Sequence, residues 1–118
     1  MSKVEYSDMV SRLAKPGHKI AEEMTPKNAH MIHMAVGISG EAGELLDAVK
    51  KAVIYQKDLD VENVIEELGD LEFYMEGLRQ GLGITREQCL NSNIEKLSKR
   101  YHSLGYTDKH AAERLDKA

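Results

Sequence analysis

Tryptophan is absent, phenylalanine occurs once and aromatics make up only 5% of the chain, so a core built on stacked rings is excluded. A single cysteine, Cys89, rules out an intrachain disulfide framework and fits a reducing compartment, where the thiol is expected as a small packed side chain. Only two prolines interrupt 118 residues, and no segment alternates apolar and polar residues as a half-buried strand does. No apolar run reaches transmembrane length, and the first ten residues, MSKVEYSDMV, lack the apolar centre of a signal peptide, so the expected location is the cytoplasm. A large excess of one sign of charge is missing as well: a net −4 gives no electrostatic case for nonspecific nucleic-acid binding.

What is present is aliphatic and charged. Hydrophobic residues form 42% of the chain and charged residues 31%, with six methionines to fill gaps between helices. The length allows one domain spanning residues 1–118, and a chain this short gains stability from oligomerisation. Four periodic segments follow one another. The first runs from Ser2 to about Lys15 and stops at Pro16-Gly17. The stretch up to Met24 has no clear period, although Ile20 to Glu23 can form a helical turn. A second helix opens at Thr25-Pro26, with Thr as N-cap and Pro in the first turn, and continues to about Gln56. Asp58 or Asp60 caps a third helix ending at Gly81 or Gly83. Thr85 with Gln88 forms a capping box opening a fourth, which ends near Tyr101. A short last helix is expected over His110 to Leu115. The fold class is all-α.

Two acid pairs stand out, Glu41/Glu44 and Glu67/Asp70. Each has the i, i+3 spacing that places two side chains on one helical face. On a helical wheel both pairs border an aliphatic stripe instead of lying opposite it, which places them at the rim of a core. One such pair is ordinary surface charge. Two pairs on adjacent helices converge if the helices pack, and four carboxylates in one small volume require a cation. Mg²⁺ and Mn²⁺, hard ions that bind oxygen and bridge carboxylates to phosphates, fit this set. By contrast, Asp47 and Lys51 read as an i, i+4 ion pair on an exposed face.

Other residues carry two readings each. Gly37, Gly40 and Gly43 recur inside the second helix, where each costs roughly 1 kcal/mol against Ala; they serve close helix approach, room for substrate, or both. Asn93, Lys96 and Arg100 share one face of the fourth helix and can bind phosphate oxygens, or form a solvated basic face near a helix C-terminus. His30 and His33 are structural or surface residues, or they contact a bound base from two to three turns before Glu41. A phosphate-binding glycine loop, a nucleophile elbow, CxxC and the Glu-x-x-His of di-iron bundles are all missing.

The ordered segments GISGEAGELL (37–46), EELGDL (66–71) and NIEKLSKRY (93–101) strongly resemble the MazG-like nucleotide pyrophosphohydrolases of the all-α nucleoside triphosphate pyrophosphohydrolase superfamily. The similarity runs over roughly residues 28–117. It implies a four-helix-bundle-type fold assembling as a homodimer or homotetramer. It implies that Glu41, Glu44, Glu67 and Asp70 hold Mg²⁺, with Lys51, Asn93, Lys96 and Arg100 as candidates for triphosphate or sugar contacts. Some relatives have two adjacent acids at the start of the first motif; here Gly40 takes the earlier place. The implied reaction is hydrolysis of a nucleoside triphosphate, a canonical or modified dNTP, to the monophosphate and pyrophosphate, with Glu41 or Glu44 as general base. The rival readings are a phosphoribosyl-ATP pyrophosphohydrolase, a dimeric-dUTPase-like enzyme, and a nonenzymatic helical interaction module.

Overall fold

The computed structural model describes residues 3–101 and 108–109, and every regular element among them is helical. Five helices follow in order: α1 (Tyr6–Leu13), α2 (Gly17–Glu23), α3 (Pro26–Ile54), α4 (Val61–Leu82) and α5 (Arg86–Arg100). The short helix expected over His110 to Leu115 lies outside the described residues. None of the helices among them is long and apolar enough to cross a membrane.

Local chemistry explains the boundaries. Thr25 Oγ1 accepts the Asn28 N–H at 3.1 Å and Pro26 occupies the first turn, so α3 begins where its orphan donors are satisfied. Asp60, not Asp58, caps α4 by accepting the Asn63 N–H at 3.0 Å. Gly83 ends α4 at φ +68°, in the left-handed region that glycine enters without a Cβ penalty. The Thr85/Gln88 capping box is complete: Thr85 Oγ1 accepts the Gln88 N–H at 3.1 Å, and Gln88 Oε1 accepts the Thr85 N–H at 2.7 Å. Two boundaries correct the sequence reading. The first helix starts at Tyr6 instead of Ser2, and the stretch after Pro16 is a seven-residue helix, α2, not one isolated turn.

The architecture among the described residues is built on an antiparallel pair, α3 against α4. These two make the one extensive helix–helix contact among the described residues. Their seam has a regular register. A Cβ added to Gly37 would come closer than 3.0 Å to the Tyr74 ring, one on Gly77 equally close to Met34 Sδ, and one on Gly81 equally close to the His30 ring. Advancing along α3 through His30, Met34 and Gly37 therefore means retreating along α4 through Gly81, Gly77 and Tyr74. The next step in both directions is Glu41 opposite Asp70, and the one after is Glu44 opposite Glu67.

Among the described residues no closed four-helix bundle forms. Only two apolar side chains among the described residues are buried, Met34 and Ala48, both on α3. Large apolar residues remain exposed on every helix, among them Leu13, Ile20, Leu46, Phe73 and Ile94. The radius of gyration is 20.4 Å, against about 13–14 Å for a compact domain of this length. Cys89 is also exposed, contrary to the expectation of a packed thiol, because its helix α5 lacks an extensive packing partner among the described residues.

Candidate metal and nucleotide site

Antiparallel packing of α3 on α4 converts two sequence-local acid pairs into one cluster. Oxygens of Glu41, Glu67 and Asp70 lie within 4.8 Å of one another. Glu41 and Glu67 are half-buried and Asp70 is exposed, so the cluster opens to solvent on one side, as the rim position of both pairs predicts. Glu44 stands outside this tight group. Its charge nonetheless acts on Glu67, in keeping with its place opposite Glu67 along the seam.

The electrostatics show strain of a specific kind. Glu67 Oε2 is buried and has no hydrogen-bond partner. Its nearest polar neighbours are carboxylates, and ionised carboxylates only accept. The Glu67 carboxyl is accordingly pushed up to about 7, first by the hydrogen bond to Glu41 that its protonated form can donate, then by burial, then by the charges of Glu41, Glu44 and Asp70. A buried oxygen with no donor, amid three other acids, is what a hard divalent cation satisfies. These residues fit such an ion.

The sign of the linked stability effect follows. Between pH 4.5, the ordinary Glu67 value, and about 7, the folded metal-free chain binds more protons than the unfolded one. Its stability therefore falls as pH rises through that window. In EDTA-treated protein the Tm is expected to drop from pH 4.5 to 7 more steeply than in Glu67→Gln, and saturating Mg²⁺ should remove the difference. Parallel pH profiles for the two chains would refute this account of Glu67.

The remaining predicted residues distribute unevenly. Lys51 pairs with Asp47 at 2.9 Å on an exposed face, as the spacing predicts. The hydrogen bond and charge of Asp47, with a smaller contribution from Glu44, hold the Lys51 ammonium above its ordinary range. His30 is tied into the seam: its Nε2–H donates to the Gly77 carbonyl at 2.8 Å. That places it about three turns, or ~16 Å, along α3 from Glu41. His33 is closer and meets the Tyr74 ring edge-on, with centroids 6.2 Å apart. Asn93, Lys96 and Arg100 lie on α5, which has no packing against α3 or α4 comparable to that between those two helices. Among the described residues the acids are brought together by the α3–α4 packing, and α5 is not held to either helix by packing of that extent.

Two features had no role in the sequence reading. The helical wheel puts Tyr74 on the face of Glu67 and Asp70; in the structure it sits over Gly37 one turn beyond Asp70 and forms, with His33, the next stretch of wall beyond the acids. The second is Arg79, buried although charged, whose Nη2 donates to Glu72 at 2.5 Å and Nε to Glu76 at 3.0 Å. Glu72, Glu76 and Gln80 line a cavity of about 500 Å³ with His30, Met34, Phe73 and Gly77, along the seam from the acid cluster.

Compared with curated proteins and with solved structures, the chain has no match. The family model of the MazG nucleotide pyrophosphohydrolase domain matches residues 30–104, a span that contains α4, α5 and all of α3 but its first turn, and leaves α1 and α2 outside. With well over half of its length in that match, including all four acids of the two motifs, the chain belongs to the MazG nucleotide pyrophosphohydrolase family.

Proposed function

We propose that the chain is a Mg²⁺-dependent enzyme, with Mn²⁺ as a substitute, that hydrolyses a nucleoside triphosphate, a canonical or modified dNTP, to the monophosphate and pyrophosphate. The observation that carries this reading is the convergence of Glu41, Glu67 and Asp70 within 4.8 Å around a buried oxygen that has no donor. Glu41, Glu67 and Asp70 would hold the metal, with Glu44 completing the set from its place opposite Glu67. Bound there, the ion supplies charge neutralisation at the phosphates and lowers the pKa of a coordinated water.

The chain's own residues divide the remaining work. Water adds to phosphorus, the α–β phosphoanhydride bond breaks, and pyrophosphate leaves; the proton of the water passes to Glu44 or Glu41 as general base. Lys51, Asn93, Lys96 and Arg100 offer a charge-assisted hydrogen-bonding set for the triphosphate. His33 and Tyr74, next along the acid-bearing face, offer contacts to sugar or base, and His30 borders the cavity farther along. Large apolar side chains stand exposed on every helix, and a second copy would cover them, which is our reason for assigning a homodimer or homotetramer. The whole chain then acts as a single domain whose helices α1 and α2 supply interface, in the cytoplasm.

The deciding experiment is a panel of dNTPs, NTPs, modified nucleotides, dUTP and phosphoribosyl-ATP, with pyrophosphate measured in the presence of Mg²⁺, Mn²⁺ or EDTA. Metal-dependent pyrophosphate release from at least one dNTP is expected. Turnover confined to dUTP or phosphoribosyl-ATP selects one of the narrower enzymes. Metal-induced thermal stabilisation without turnover of any substrate identifies an interaction module and defeats the proposal.

A further inference from the structure

Two of the close contacts between α3 and α4 lie well away from the acids. The carboxylate cluster is made by residues from both helices, so its geometry depends on how far one helix is shifted along the other. Two contacts set that shift at a distance. Met34 Sδ rests on Gly77 and the His30 ring on Gly81, each so close that a Cβ there would have to displace that side chain, and His30 Nε2–H also donates to the Gly77 carbonyl at 2.8 Å. The matched steps along the seam, four residues forward and four back, then three and three, lead from these contacts through Gly37/Tyr74 to Glu41/Asp70.

We propose that Gly77 and Gly81, with Met34 and His30 seated on them, are positioning residues that hold Glu41 against Glu67 and Asp70 from about two and three turns away. The inference rests on the reading of the acid cluster as a metal site. Mg²⁺ demands near-ideal octahedral geometry at about 2.0–2.1 Å. A displacement of α3 on α4 by a fraction of a turn spoils that geometry without unfolding either helix.

Glycine also separates this role from ordinary helix stability. Alanine at a helix interior favours the helix over glycine, so Gly77→Ala and Gly81→Ala should keep or strengthen α4 as a helix. If the glycines serve the register, the same changes should weaken metal binding. Gly81→Ala would push the His30 ring off its seat and break its bond to Gly77; Gly77→Ala would displace Met34.

The test uses the full chain and Mn²⁺ alone, with free Mn²⁺ followed by electron paramagnetic resonance beside circular dichroism. Gly81→Ala and Gly77→Ala are expected to bind Mn²⁺ about ten- to a hundredfold more weakly than wild type, with helical content unchanged. Adding Met34→Ala to Gly77→Ala makes room for the new methyl group and should recover most of the lost affinity. Should Gly81→Ala lose its helical signal, His30→Ala, which inserts nothing, carries the same expectation of weaker binding. Wild type that binds no Mn²⁺ overturns the metal reading and this inference with it. Wild-type binding matched by both glycine variants overturns the register argument alone, and a double variant as weak as Gly77→Ala removes Met34 as its carrier.

Discussion

Asp70→Ala is expected to reduce pyrophosphate release about 10³-fold while leaving the helical circular-dichroism signal intact. The size follows from the chemistry withdrawn. A divalent ion contributes several kcal/mol of charge stabilisation to phosphoryl chemistry, and each 1.36 kcal/mol is worth tenfold in rate. Asp70 is exposed and supplies one of the three convergent carboxylates, so under the proposed metal site its removal takes away a ligand without opening a void in the protein. Glu44→Ala should also fall steeply, since that acid faces Glu67 and is a candidate base. Glu62, an acid in the first turn of α4, provides the control. Glu62→Ala removes a comparable charge from the same helix and should retain nearly full activity. Equal turnover by Asp70→Ala and wild type in saturating Mg²⁺ would take the metal away from this cluster.

The acid pairs were legible in the sequence because i, i+3 spacing within a helix is a local property, and the helices themselves were marked by local signals. Thr25-Pro26 and Thr85/Gln88 announce α3 and α5, and the structure realises both caps. Choosing Asp60 over Asp58 depended on where the chain turns after α3, a turn in which Gln56 takes φ +53°. Helix α2 escaped the reading because GHKIAEE is too short to display a period and opens with Gly17, a poor helix former. What the sequence could not show is tertiary. That His30 donates to Gly77, and that Gly37 receives Tyr74 while Gly40 and Gly43 face open space, depends on the register of two helices joined by a turn. Of the two roles considered for the three glycines, close approach belongs to Gly37, while Gly40 and Gly43 are exposed.

Self-association should be strong enough to persist at micromolar protein, with the chain sedimenting as a dimer or tetramer. The argument is energetic. Helices this short draw most of their stability from tertiary packing of an apolar face. Here the faces of α1 and α5 carry Val10, Leu13, Leu90 and Ile94 in the open, and α3 and α4 expose Leu46, Val53, Ile65 and Leu68. Burying one such side chain is worth about 1.5–3 kcal/mol, so a few of them covered by a second copy outweigh the rotational and translational cost of association, about 4–15 kcal/mol. A charge placed in that surface should reverse the balance. Ile65→Glu and Ile94→Glu, at side chains 63% and 62% exposed in the single chain, are expected to shift sedimentation toward the monomer and to lower the Tm together. If association also brings α5 to the acids, turnover should fall with the monomer fraction and recover at higher protein concentration. A wild-type chain that sediments as a stable monomer with full activity would require Asn93, Lys96 and Arg100 to reach the carboxylates within one chain, and the assembly reading would then be wrong.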